Sequence, residues 1–215
     1  MKKQTVFQKF NNIYIAIGFF FLTTALIAII IPIWPYLWYR IHPEETNKET
    51  EKIIKEVVPP KVEIEEKKTE SVRLDIPPLN TSLPEGKFVK IPKIEVNSPI
   101  STSKNSDEGL KNGTWIVKEY GTPEQPDLPI ILAAHRFGYS SWSTEKRNRI
   151  SYYNLPKTGD GDEITIYWNQ REYKYKIYKS EESTYITDYT ADLILYTCKF
   201  FNSPIRIFRY AQRIP

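Results

Sequence analysis

The apolar and polar positions divide the chain into three regimes. Residues 13–39, "IYIAIGFFFLTTALIAIIIPIWPYLWY", hold no charged side chain. At the helical rise such a run reaches about 40 Å, enough to cross a hydrocarbon layer roughly 30 Å thick with some tilt. Residues 40–83 then alternate charge blocks with prolines, carry no glycine and show no sustained period. From residue 84 onward short apolar or alternating segments follow one another closely. They are "KFVKI" at 87–91, "IEVNSPI" at 94–100, "TWIV" at 114–117, "PIILAAH" at 129–135 and "EITIYW" at 163–168. "EYKYKIYKS" at 172–180, "DLILYT" at 192–197 and "IRIFRYAQ" at 205–212 complete the set. "YKYKI" alternates aromatic with charged residues, the period of a strand half exposed to water. Turn signals fall between the segments at "NG" 112–113, "GDGDE" 159–163 and "NSP" 202–204. Many short strands with one weak helical stretch, 143–154, predict a closed β-barrel or a sandwich.

Charge distribution orients this plan. Lys2, Lys3 and Lys9 precede the apolar run, whereas Glu44 and Glu45 follow soon after Arg40. That bias predicts a cytoplasmic N-terminus and places everything after residue 40 outside the membrane. Trp34, Tyr36, Trp38 and Tyr39 form an interfacial aromatic belt, and Pro32 and Pro35 are expected to kink or finish the helix. A cleaved signal peptide is the rival reading. The run exceeds a typical signal core and no small-x-small site follows it, so an uncleaved anchor is expected. The expected organisation is a cytoplasmic tail at 1–12, a transmembrane anchor at 13–39, a stalk at 40–83 and one domain at 84–215. In the stalk eight basic residues face ten acidic ones, and Pro43, Pro59, Pro60, Pro77 and Pro78 stiffen it. The formal net charge of +4 is modest and three of those charges lie in the tail, so a nucleic-acid surface is excluded.

The chain holds one cysteine, Cys198, which ends the apolar run "LILYT". An exported domain with a single cysteine has no internal disulfide, and its thiol is either a packed core residue or a reactive group. Of the two histidines, His42 lies just outside the apolar run, while His135 ends the run "IILAA" much as Cys198 ends its own. Two strand ends in one small barrel can bring thiol and imidazole together, and the thiolate is the useful nucleophile. Acyl transfer also needs a group for the developing oxyanion. Arg206 opens the last strand just beyond Cys198, and Arg209 falls on the opposite face by strand alternation. The acids Asp107, Glu108, Asp160 and Asp162 read as turn residues rather than calcium ligands, and no metal or cofactor is expected.

These residues resemble the sortases, cysteine transpeptidases that attach proteins to Gram-positive-type cell surfaces. The likeness covers about residues 84–215 and keeps the family's order. "IPKIEVNSPI" resembles the early strand pair and "NGTW" the segment after it. "AAHR" resembles the histidine strand, "YYNLPKTGDGDEITIY" the hairpin region, and "LYTC" with "RIFRYAQRI" the cysteine and arginine strands. The resemblance implies an eight-stranded all-β sortase barrel. It also implies Cys198 as nucleophile, His135 as catalytic histidine, Arg206 as catalytic arginine with Arg209 in reserve, and Thr197 as a residue that helps arrange the bound peptide. The implied substrates are surface proteins with a C-terminal LPxTG-type sorting signal, joined to an amine of the cell wall or of another protein. Ile194 stands where the family's T-L-x-T-C signature has its first threonine, and "EESTYITDYTA" at 181–191 is short for a substrate wall. Neither an aspartate-proline-aromatic lid before the barrel nor a second span after it is seen, which argues against a pilin polymerase. An L,D-transpeptidase, lacking its tight histidine–glycine–cysteine cluster here, and a non-catalytic peptide-binding barrel are the alternatives.

Overall fold

The computed structural model describes residues 6–41, 76–125, 127–200 and 203–215. Helix α1 runs from Val6 to Ile41, and its segment Tyr14–Ile31 has a mean hydropathy of 2.5 with none of it buried. It is the one helix among the described residues long and apolar enough to cross a membrane. Of the two outcomes expected for Pro32 and Pro35, a kink or an end, neither proline ends the helix. Each proline removes a single backbone donor, a loss that long apolar helices tolerate. Most of the expected stalk, residues 42–75, lies outside the described residues.

Eight strands close into a barrel: β1 (Lys87–Ile91), β2 (Val96–Ser101), β3 (Thr114–Ile116), β4 (Ile130–Ala133), β5 (Glu163–Trp168), β6 (Arg171–Ser183), β7 (Leu193–Cys198) and β8 (Arg206–Ile214). Their order around the barrel is β1-β2-β3-β4-β7-β8-β6-β5, with β5 returning to β1. All pairs are antiparallel except β2 with β3 and β4 with β7. All eight segments expected from the sequence are strands. The weak helical stretch contracts to α3 (Thr144–Ile150), and a short helix that the pattern did not announce, α2 (Ser106–Lys111), precedes β3. Asn105 caps α2 with its side-chain oxygen on the amides of Asp107 and Glu108, and Ser143 caps α3 through Lys146 N–H.

Alternation along the strands sorts the apolar residues into two layers. Val89, Ile91, Ile164, Ile166, Leu193, Leu195, Ile207 and Ala211 fill the barrel interior. Trp115, Ile131, Ala133, Ile194, Tyr196, Phe208 and Tyr210 form a second layer on the outer face, covered in part by Ile186 and Ala191 of the β6–β7 connection. Strands apolar on both faces, such as β4 and β7, read as continuous runs for this reason. The hairpin turn between β5 and β6 has two residues, Asn169 and Gln170, both at positive φ (50° and 57°). Their left-handed backbone suits the twist of a tight hairpin even without glycine. Gln170 also receives the chain that enters the domain. Its carbonyl accepts from Asn80 N–H at 2.9 Å, and its side-chain amide donates to the carbonyls of Thr81 and Leu83.

Arg209 points into the barrel with 6% of its surface exposed. Its guanidinium donates to the carbonyls of Thr158, Leu155 and Phe208 and to Thr158 Oγ1, at 2.8–3.1 Å. It thereby fastens the 3-10 turn Leu155–Lys157 to β8. Substituting Arg209→Leu removes these donors and leaves buried carbonyls under-satisfied. The expected result in chemical denaturation is a loss of about 2 kcal/mol or more.

Candidate active site

The parallel pairing of β4 with β7 sets Ala133 opposite Tyr196, and Ala134 N–H reaches the Tyr196 carbonyl at 3.4 Å. Carried two residues further, that register brings His135 level with Cys198. On its other side β7 runs antiparallel to β8, with Cys198 directly opposite Arg206. Cys198 and Arg206 are therefore ladder partners, and His135, two residues beyond the end of β4, continues the row by extension of the parallel register. The row is also on one face. Ile131 and Ala133 of β4, Ile194 and Tyr196 of β7, and Phe208 and Tyr210 of β8 all belong to the outer layer. Cys198 follows Ile194 and Tyr196, and Arg206 precedes Phe208 and Tyr210, by even numbers of residues, so both share that face, and His135 continues the same parity past the end of β4.

Thr197 has the opposite parity and is buried on the inner side. Its hydroxyl donates to the Ala134 carbonyl at 2.8 Å. This bond ties the end of the cysteine strand to the residue before His135, so Thr197 braces the two strand ends from behind. Arg209, the reserve arginine of the sequence reading, is committed to the 3-10 turn as described above.

Arg206 is 1% exposed, yet its guanidinium is only partly used. Nη1 donates to the carbonyls of Ser203 and Ile205, while Nη2 is buried without a hydrogen-bond partner among the described residues. A buried orphan donor of this kind costs free energy unless something is to be bound there. Two residues escaped the sequence reading. Arg136 donates through Nη1 to the carbonyl of Lys199, thereby linking the residue after His135 to the residue after Cys198. Tyr139 lies edge-on to the His135 ring, with centroids 5.2 Å apart, and its hydroxyl is 3.2 Å from Nε2. The adjacency of arginine to His135 in "AAHR" was the available signal for Arg136. Tyr139 had none, because its approach depends on the fold of the loop.

Burial dominates the electrostatics. It pushes the His135 imidazole down to about 4. It pushes the Cys198 thiol up, against the opposing pull of the Arg206 and Arg136 guanidinium groups. At neutral pH the pair is accordingly thiol and neutral imidazole, and nucleophilic attack requires the thiol proton to leave as the bond forms. The same burial makes stability depend on pH. An unfolded histidine binds its proton near 6.5, whereas the folded one remains neutral until about 4. The stability that neutral His135 contributes is complete above pH 6.5 and is lost as pH falls towards 4. Melting temperature should drop across that window in the wild type. A His135→Gln variant should show a visibly shallower drop.

Comparison with known proteins gives this geometry its context. The sortase domain family matches residues 89–214. No curated protein matches the sequence at a significant level. Solved structures of similar fold include sortase C-1 from Actinomyces oris, with 20% identity, a TM-score of 0.50 and coverage of 60% of this chain and 73% of that one. Streptococcus agalactiae sortase C1 gives 21% identity, a TM-score of 0.48 and coverage of 60% and 68%. Sortase A from Corynebacterium diphtheriae gives 18% identity, a TM-score of 0.47 and coverage of 61% of each chain. At such identities the likeness to solved structures is one of fold. The domain match, by contrast, spans more than half of the residues, and by it this chain belongs to the sortase family of cysteine transpeptidases.

Proposed function

We propose that the protein cleaves a C-terminal sorting signal of the LPxTG type and joins the released acyl group to a surface amine. The observation that carries this reading is the pairing of Cys198 with Arg206 across β7 and β8, with His135 two residues past the end of the neighbouring β4. Cys198 attacks the carbonyl of the residue before the scissile bond while its proton passes to His135. The imidazolium then protonates the departing amine, and a thioester remains on Cys198. Arg206 directs its unpartnered Nη2 at the tetrahedral oxyanion, where a buried guanidinium is worth far more than in water. An incoming amine resolves the thioester with the proton steps reversed. Arg136 and Thr197 hold the strand ends in register from either side.

The apolar helix supports a single-pass anchor with Lys2, Lys3 and Lys9 inside and the barrel outside. An enzyme held at the surface meets membrane-held substrates at a high effective concentration. A barrel that only binds surface peptides is the competing reading, and the buried orphan donor beside the single thiol favours chemistry over it.

Cys198→Ala should abolish both peptide cleavage and amine ligation while leaving the thermal transition in place. Arg206→Ala should lower kcat/KM by roughly 10²-fold, the usual scale for an oxyanion donor. Arg209→Ala should act on stability far more than on turnover, and the reverse ranking of the two arginines would overturn the role given to Arg206. Residual ligation by the cysteine variant within tenfold of wild type would sink the transpeptidase reading.

Topology is tested separately. Protease added to intact cells should release the barrel by cutting within the proline- and charge-rich residues 42–75 and spare the N-terminal tail. The released domain should remain active on short peptides yet modify membrane-held proteins poorly. A mature chain that begins after residue 30 would contradict the anchor.

A further inference from the structure

Between β4 and α3 the chain forms a tight aromatic loop, "RFGYSSW", whose Tyr139 meets the His135 ring edge-on. Gly138 holds a positive φ of 70°, and a Cβ there would come within 2.3 Å of the Trp142 ring. Only glycine allows the backbone to pass beneath the indole in this way. Trp142 N–H donates to the Tyr139 carbonyl at 3.0 Å, closing a turn. The two rings meet edge-on with centroids 5.3 Å apart. Lys146 of α3 covers the far side of the indole, with Nζ 5.4 Å from its ring. The loop is fastened at its base as well, because Tyr152 N–H donates to the His135 carbonyl at 2.9 Å and Ser151 Oγ to that of Arg136. The whole arrangement aims one phenol at one nitrogen: Tyr139 Oη at His135 Nε2, 3.2 Å away.

We propose that Tyr139 is a positioning residue for the reaction, accepting a hydrogen bond from His135 Nε2–H and so leaving Nδ1 as the nitrogen that exchanges the proton. The inference rests on the transpeptidase reading above. A base that must take and return a proton works best when a third group fixes its orientation and tautomer. In the neutral ring, an acceptor at Nε2 places the hydrogen there and the lone pair on Nδ1. When Nδ1 takes the thiol proton, the imidazolium carries hydrogen on both nitrogens. Nε2–H then keeps the same partner, now as a charge-assisted bond. An acceptor therefore serves both states without rearrangement, which a donor to Nε2 cannot do. Among the described residues no carboxylate fills this place at Nε2. A neutral phenol suits a ring whose burial already disfavours its charged form, since a buried anion would add a second desolvation cost.

The test uses the full chain in detergent micelles, with Tyr139→Phe as the variant. Phenylalanine keeps the ring, its edge contact with His135 and its packing on Trp142, and removes only the hydroxyl. The chain contains two histidines, so ¹⁵N-histidine labelling gives two ring spectra, and the one lost in His135→Gln belongs to the site. In the wild type that ring should show hydrogen on Nε2, a bare Nδ1 and a slowly exchanging Nε2–H. In Tyr139→Phe the Nε2–H should exchange rapidly, and kcat on a sorting-signal peptide should fall roughly tenfold with KM little changed. A wild-type ring protonated on Nδ1 would overturn the proposal. So would a Tyr139→Phe enzyme with unchanged kcat, or one that turns over faster because a cap had been loosened. The ring spectra need no turnover, so failure here is separable from failure of the transpeptidase reading, which Cys198→Ala decides.

Discussion

Sliding β4 by one residue along β7 would turn all of its side chains to the other face of the sheet, and His135 would leave the row that Cys198 and Arg206 occupy. The parallel register of Ala133 with Tyr196 is thus the constraint on which the site depends. Its enforcement is distributed. Both faces of these strands are apolar and buried, so a slip would exchange an interior set of side chains for an outer set of different size. Beyond the last ladder pair, Thr197 fastens to the Ala134 carbonyl from within, and Arg136 fastens to the Lys199 carbonyl from the other side. Parallel strands with evenly spaced, slanted bonds gain less per residue than antiparallel ones, and these two side chains reinforce the pair where it ends.

The two arginines of β8 illustrate how one strand can serve opposite needs. They stand three positions apart, which sends one guanidinium to the outer row and the other into the barrel. Arg209 is held by loop carbonyls and behaves as a structural rivet. Arg206 is as deeply buried but retains a donor with no partner among the described residues. A desolvated cation with a spare N–H is costly to keep, and that cost supports the oxyanion role proposed for it.

Much of this was legible in the residues. The eight strands announced themselves because the barrel is filled by short runs bounded by turn residues, and the candidate functional groups because His135 and Cys198 stand where apolar runs stop and Arg206 where the last one starts. Parity alone separated Arg206 from Arg209. Thr197 was readable as a neighbour of the thiol, but not as a brace facing inward, since that depends on which face of β7 is interior. The aromatic loop was hidden for a different reason. Gly138, Tyr139 and Trp142 lie in an irregular segment with no period to read, and their contacts with His135 and with each other follow from a left-handed backbone that only the folded loop specifies. That α1 continues through Pro32 and Pro35 was only one of two outcomes the residues allowed, because a proline rule drawn from helix interiors counts lost donors, not the stability of the remaining turns.

The bonds from residues 80–83 to Gln170 carry a mechanical meaning. Tension reaching the domain along the chain that precedes it first meets the Arg171 guanidinium, which donates to the Pro77 carbonyl, and then this clasp, both on the β5–β6 hairpin. That load falls on β5 and β6, while Cys198 and Arg206 lie on β7 and β8 and His135 just past β4, and of those strands only β8 adjoins the hairpin. A pull from upstream therefore loads the hairpin ahead of the parallel pair of β4 and β7.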